Sequence, residues 1–266
     1  MELTSKPTKS DADNTKLDAD KLKDEDFIAR INDNPADLVY FCLNVGDGDA
    51  QVIVLPESVD TVRRVIVVDA GHTTKVAELL TDLEEKEVVS FKKAETIALV
   101  VATHPHHDHI AGMAKLFRQY GEHVAEFWEP GYFHTTASYQ NMMREVAAHE
   151  NIVYTQPTSG MRRFFGLVAV TVLSPSIHLR NRFDTYGVEI NDASISLRIE
   201  HPTPALASVQ IARGVANQPS NPASAKLILG ADAQTLSWSF VATDFPYLAR
   251  SNTVQAQAIA AAQGGN

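Results

Sequence analysis

"ALVVATHPHHDHIAG", residues 98–112, decides the fold. An apolar run ends in six positions that hold four histidines and one aspartate, His104 to His109, out of ten histidines in the chain. The apolar run reads as a buried strand, and Ile110, Met113, Ala114 and Phe117 give the next helix face. The cluster therefore sits in a strand-to-helix turn. Alternate side chains of an extended backbone point the same way, so His104 and His106 can converge on one ion. Asp108 and His109 follow where the chain turns, and can hold a second ion nearby. His107 is on the opposite phase and is expected to point away. Two divalent ions sharing a hydroxide give a nucleophile at neutral pH and a clamp for a leaving oxygen. A water-satisfied histidine tract on the surface is the competing reading, and it explains neither the strand before the cluster nor the helix after it.

Outward from this turn the chain alternates strand and helix. Upstream, "DLVYFCLNV" (37–45) reads as a buried strand, "QVIVLP" (51–56) as its hairpin partner and "RRVIVVDAG" (63–71) as a third strand. Val76, Leu79, Leu80 and Leu83 share one helix face. Downstream, "VAEFWEP" (124–130) is a strand, and Tyr139, Met142, Met143, Val146 and Ala147 mark a helix. "NIVYT" (151–155), "LVAVTVLSP" (167–175), "ASISLRIEH" (193–201), "ASVQIAR" (207–213) and "AKLILGAD" (225–232) are further strands, with "GVANQPSNPAS" (214–224) a polar hairpin loop. The order predicts an α/β fold of sheets packed with helices. Residues 1–36 read as a disordered or loosely helical arm, 37–251 as the domain, and 252–266 as a low-complexity tail.

Composition narrows the function. The 266 residues are 44% hydrophobic and carry a formal charge of −10. That field does not attract nucleic acid over long range, although bound cations would offset it locally. A single cysteine, Cys42, excludes an internal disulfide and a multi-cysteine zinc site. No apolar stretch reaches membrane-spanning length and the first thirty residues show no signal-peptide core, so the cytoplasm is the expected location.

The residues resemble the metallo-β-lactamase superfamily. "THPHHDHIAG" fits its H-x-H-x-D-H motif in full. "NVGDGDA" (44–50), "VIVVDAG" (65–71), "NIVYTQPTSG", "VTVLSP", "INDASISLRI" (190–199) and "LILGADAQ" (227–234) resemble segments of the hydrolase domain of ComEC-type DNA-uptake competence proteins. The resemblance implies an αββα sandwich. It implies that His104 and His106 hold the first metal, that Asp108 and His109 hold the second, and that Asp232 bridges both. Asp69 is then the buried acid that orients the metal loop, and Asn191 and Ser194 line the substrate cleft. Each has a plainer alternative. Asp232 could cap the helix after "LILGAD", Asp69 and Asp49 could be turn residues, and Asn191 and Ser194 could simply open a strand. Trp128, Tyr132 and His134 lie in "FWEPGYFHTT", which either roofs the site or packs locally.

The chain also departs from the pattern. The competence type carries Asp where this chain has His106, Asn44 stands for Asp, and Ala231 stands for the Gly before the late Asp. The superfamily expects further histidine ligands, yet no histidine comes after His201. His178, after "VLSPS", is the candidate substitute. The tail resembles the product of a truncation or a frame change, so the fold is expected to lack its last strands. The activity implied is metal-dependent hydrolysis of a phosphoester in a nucleotide or nucleic acid. The cofactor is two divalent metals, zinc foremost and manganese as the alternative, with Asp108 helping to move the proton. The rival readings are a catalytically impaired binding or regulatory module and an amide or thioester hydrolase.

Overall fold

The structure is a computed structural model, and it describes residues 24–57, 63–180, 189–202, 224–246 and 248. The expected strand 207–213, most of the loop 214–224 and the tail from 252 lie outside the described residues.

Two sheets carry the fold. The first has six strands in sequence order: β1 Val39–Cys42, β2 Ala50–Val54, β3 Val65–Ala70, β4 Ile97–Val101, β5 Glu126–Trp128 and β6 Val153–Thr155. β1 to β3 pair antiparallel as hairpins, and β3 to β6 pair parallel. Parallel neighbours need crossovers. Helices α1 Asp24–Arg30, α2 Lys75–Glu85, α3 His107–Ile110, α4 Met113–Tyr120 and α5 Ala137–Ala147 precede or connect these strands. The second sheet holds β7 Arg162–Phe165, β8 Val168–Ser174, β9 Ser196–Pro202 and β10 Ser224–Leu229, all antiparallel. Its helices are α6 Ile177–Arg180 and α7 Thr235–Asp244.

Strand periodicity assigns the layers. In β2, Val52 and Val54 face the helices with Leu80, Leu83, Phe117 and Met142. Ile53 and Leu55 face the other way, onto Val168, Val170, Val172, Leu197 and Ile199 of the second sheet. A smaller cluster of Leu173, Val241 and Phe245 packs α7 on the outer side. The layers run helix, sheet, sheet, helix, which is the expected αββα sandwich.

Three sequence expectations shift. The N-terminal arm contains packed structure before Asp37: α1 and a 3₁₀ turn at Ile31–Asp33, with Ile28 and Ile31 in the core. Buried Arg63 holds this segment by donating to the carbonyls of Ile31, Asn34, Asp37 and Leu55. β1 is an edge strand, half-buried along Val39–Phe41 and exposed at Cys42, not a buried one. β7 went unread because Arg162, Arg163 and Phe164 are all exposed, so no alternation shows. Among the described residues no helix is long and apolar enough to cross a membrane.

Backbone strain marks the turn that carries Asp232. Ala231 has φ +47°, a left-handed conformation that suits glycine. A Cβ there costs roughly 1–2 kcal/mol. Ala231→Gly is expected to raise stability by about 1 kcal/mol, read from the midpoint of urea unfolding. No gain would mean that the turn is not held at positive φ in solution.

Candidate metal centre

β4 ends at Val101, and the chain turns at Thr103–His106 into the single turn of α3. The turn is anchored from three sides. Ala102 N–H donates to Trp128 O on β5 at 2.9 Å, and Gly112 N–H to Ala70 O at the end of β3 at 2.7 Å. Ile195 N–H reaches Thr103 O at 2.9 Å from the second sheet. Both sheets therefore contribute to one edge of the sandwich. Two glycines permit the close approach of α3. A Cβ on Gly48 would lie 2.0 Å from the carbonyl oxygen of Asp108, and one on Gly71 would lie 1.9 Å from it.

Beneath the turn is Asp69, fully buried and with φ +58°. It is not a mere turn residue. Oδ1 accepts Thr103 N–H at 2.8 Å, and Oδ2 accepts Thr103 Oγ1–H at 2.7 Å. Oδ2 also pairs with His109 Nδ1 at 2.7 Å. Thr103 Oγ1 lies 3.1 Å from His104 Nδ1. Since the hydroxyl proton goes to Asp69, His104 Nδ1 must be the donor in that contact. One carboxylate thereby fixes both rings with their Nε2 atoms turned to the site, His109 directly and His104 through Thr103.

The ligand atoms converge. His104 Nε2 and His106 Nδ1 are 3.1 Å apart, close to the roughly 3.3 Å that two nitrogens span on a tetrahedral zinc at 2.0–2.1 Å. Asp232 lies 3.8 Å from His104 Nε2 through one oxygen and 3.5 Å from His109 Nε2 through the other. Asp108 Oδ2 is 3.9 Å from His109 Nε2. The candidate ligand atoms of His104, His109 and Asp232 all lie within 4.8 Å of one another. Imidazole with carboxylate is a donor set that suits a borderline divalent metal, so the residues fit a divalent metal. Asp232 does not cap α7. The N-cap is Gln234, and it is Asp192 that accepts Ser237 N–H of that helix at 3.0 Å.

Burial and neighbouring charges set the electrostatics. His104 is pushed down to about 2 by burial, with the charges of His109 and His106 adding to it, so its ring is neutral and ready to ligate. Burial also works against charge on His109, but the hydrogen bond and charge of Asp69, with Asp232 and Asp108 behind it, raise it to about 9. Burial raises Asp69, against the pull of His109 and Thr103.

The other candidates divide. Ser194 is fully buried, and neither its Oγ nor Asn191 Oδ1 has a hydrogen-bond partner among the described residues. Asn191 opens the 3₁₀ turn Asn191–Ala193 and Ser194 follows it, next to the Ile195 contact with the histidine loop. His178 is exposed on α6, stacked on Phe240 of α7 with ring centroids 6.2 Å apart. It joins no three-ligand group among the described residues. His107 turns away to Ser138 Oγ at 2.7 Å. Asp49 is more than a turn residue in position: its carboxylate groups with those of Asp69 and His109. Sequence reasoning passed over Thr103, whose only signal was a hydroxyl residue directly before the first histidine.

A profile of the metallo-beta-lactamase superfamily matches residues 57–215, more than half of the chain, and the chain belongs to that superfamily. Similar solved structures include the metallo-beta-lactamase fold protein YhfI from Bacillus subtilis, 17% identical with a TM-score of 0.34, covering 60% of this chain and 52% of that one. A long form RNase Z from yeast is 12% identical with a TM-score of 0.37, covering 75% and 30%. A B3 metallo-beta-lactamase with an active-site glutamic acid is 13% identical with a TM-score of 0.38, covering 83% and 76%. The chain thus spans about half the length of the first of these proteins and under a third of the second. No curated protein matches it.

Proposed function

We propose that this chain is a metal-dependent hydrolase of phosphoester bonds in a nucleotide or a nucleic acid strand, with a site for two divalent ions, zinc foremost. The observation that carries the reading is the pair of adjacent donor sets, His104 with His106 and Asp108 with His109, and Asp232 within 4 Å of a histidine of each. Bound ions would supply Lewis acidity, ionising water at neutral pH and offsetting charge at a phosphoryl centre. The protein's own part is positioning. Asp69 and Thr103 hold two rings in one tautomer each. Asp108, half-exposed at the mouth, is placed to take a proton from the attacking water and return it to solvent or the leaving oxygen. Beside the loop, the Ser194 hydroxyl is an uncommitted donor for a substrate oxygen, and Asn191 Oδ1 is an acceptor for a substrate hydroxyl.

A second reading, a binding module that holds metal without turnover, is favoured by His178 standing exposed against Phe240 and outside the candidate ligand groups among the described residues. A direct comparison separates the classes. Protein loaded with zinc or with manganese is assayed on bis(p-nitrophenyl) phosphate, a chromogenic lactam and a thioester. The phosphodiester is expected to turn over at least tenfold faster than the others. Preference for either carbonyl substrate defeats the proposal, and metal uptake without any turnover leaves the module.

A further inference from the structure

We propose that His134 is a substrate-contacting residue of this centre, donating from Nε2 to an anionic oxygen held beside His106. The assignment rests on the metal-site reading above and goes beyond the ligand set. His134 lies on the loop between β5 and α5, twenty-eight positions after His106, and its ring centroid is 6.5 Å from that of His106 with the planes at 77°. It is half-buried, so it has a fixed environment and an open side.

Its orientation is built. His134 Nδ1 is 3.0 Å from Thr136 Oγ1. Thr136 is the N-cap residue of α5, where a threonine hydroxyl ordinarily accepts a backbone N–H of the first turn. Here it makes no capping bond. The next hydroxyl, Ser138 Oγ, is bonded to His107 Nδ1 at 2.7 Å. The first turn of α5 thus commits both hydroxyls to histidines, one on the metal loop and one facing it. The Thr136 hydroxyl can donate to Nδ1, and the proton of a neutral His134 ring then sits on Nε2 as an outward donor.

Distance decides between ligand and contact. Two imidazoles on one tetrahedral ion, with nitrogens at about 2.0–2.1 Å, place their centroids about 5 Å apart. His104 and His106 obey that limit at 4.7 Å, and His134 exceeds it. The ring therefore does not share an ion with His106 and stands beside it, where its Nε2 could donate to an anionic oxygen. The first turn of α5 carries no acidic residue to repel that anion.

The test uses the metal-loaded full chain and inorganic phosphate as the probe. Calorimetric phosphate affinity and metal content are measured for wild type, His134→Ala and His134→Gln. The expected result is unchanged metal content in all three, phosphate binding weakened tenfold or more in H134A, and partial recovery in H134Q through its amide donor. Loss of a metal equivalent in H134A overturns the assignment in favour of a ligand role, and so does unchanged phosphate affinity. The readout needs no turnover. A protein that hydrolyses no phosphodiester yet shows the His134-dependent affinity would refute the proposed reaction and leave this contact standing.

Discussion

Asp69→Ala is expected to cost about 3–5 kcal/mol of stability and to lower metal affinity by roughly 10- to 100-fold, although Asp69 is outside the ligand set proposed for the two ions. The carboxylate has no exposed surface and takes two hydrogen bonds from Thr103 and one from His109. Removing it strands the Thr103 N–H and hydroxyl and the His109 Nδ1–H in the interior, each without water to replace the partner. Both Nε2 atoms then lose the bonds that aim them. Asp69→Asn isolates the charge from the shape. Its amide fills the space, but one of its two ends can only donate, so at least one of the three bonds is lost. The metal-free proteins also differ with pH. His109 is raised to about 9 in the folded state, against an ordinary value of 6.5. Its contribution is fully present below 6.5 and is lost as pH rises through 9. Wild-type protein without metal should therefore lose unfolding free energy between pH 6.5 and 9, and D69N should be flatter over that window. Denaturant midpoints across the range, with metal content by plasma emission, check both. A D69A protein that is stable and fully metal-loaded would show that the rings are aligned by something else.

What could be read in the sequence depended on distance along the chain. The histidine loop was legible because four of its candidate ligands fall within six residues and the strand before it is uniformly apolar. Asp232 comes more than a hundred residues later, and only resemblance pointed to it. Its site is made by β10 pairing with β9, and spacing does not encode that pairing. Thr103 stayed hidden for a different reason. A threonine at a strand end is ordinary, and its importance lies in a hydrogen-bond chain between Asp69 and His104 that composition cannot show. His134 was weighed with an aromatic loop because its approach to His106 depends on β4 and β5 lying side by side, so that the loops at their ends meet. His178 looked attractive by position in the chain, and the turn of α6 leaves it exposed and stacked on Phe240.

His106→Ala should divide an enzyme from a binding module more sharply than any other single change. The ring is half-buried at the mouth of the turn and belongs to no hydrophobic cluster among the described residues, so unfolding is expected to move by less than about 1 kcal/mol. Its Nδ1 sits 3.1 Å from His104 Nε2, and without it the first donor set keeps only His104 and a share of Asp232. Asp108, His109 and Asp232 are untouched and should keep one equivalent of metal. If catalysis needs both ions, one to ionise water and the other to take charge on the leaving side, phosphodiester turnover should fall by on the order of a thousandfold. The fall should appear in kcat, since the remaining ion can still hold the phosphate. A module would behave otherwise: ligand affinity would stay within a few-fold of wild type, with one metal fewer. Turnover that persists in H106A at one metal per chain would overturn the two-ion mechanism and place the chemistry on Asp108, His109 and Asp232 alone.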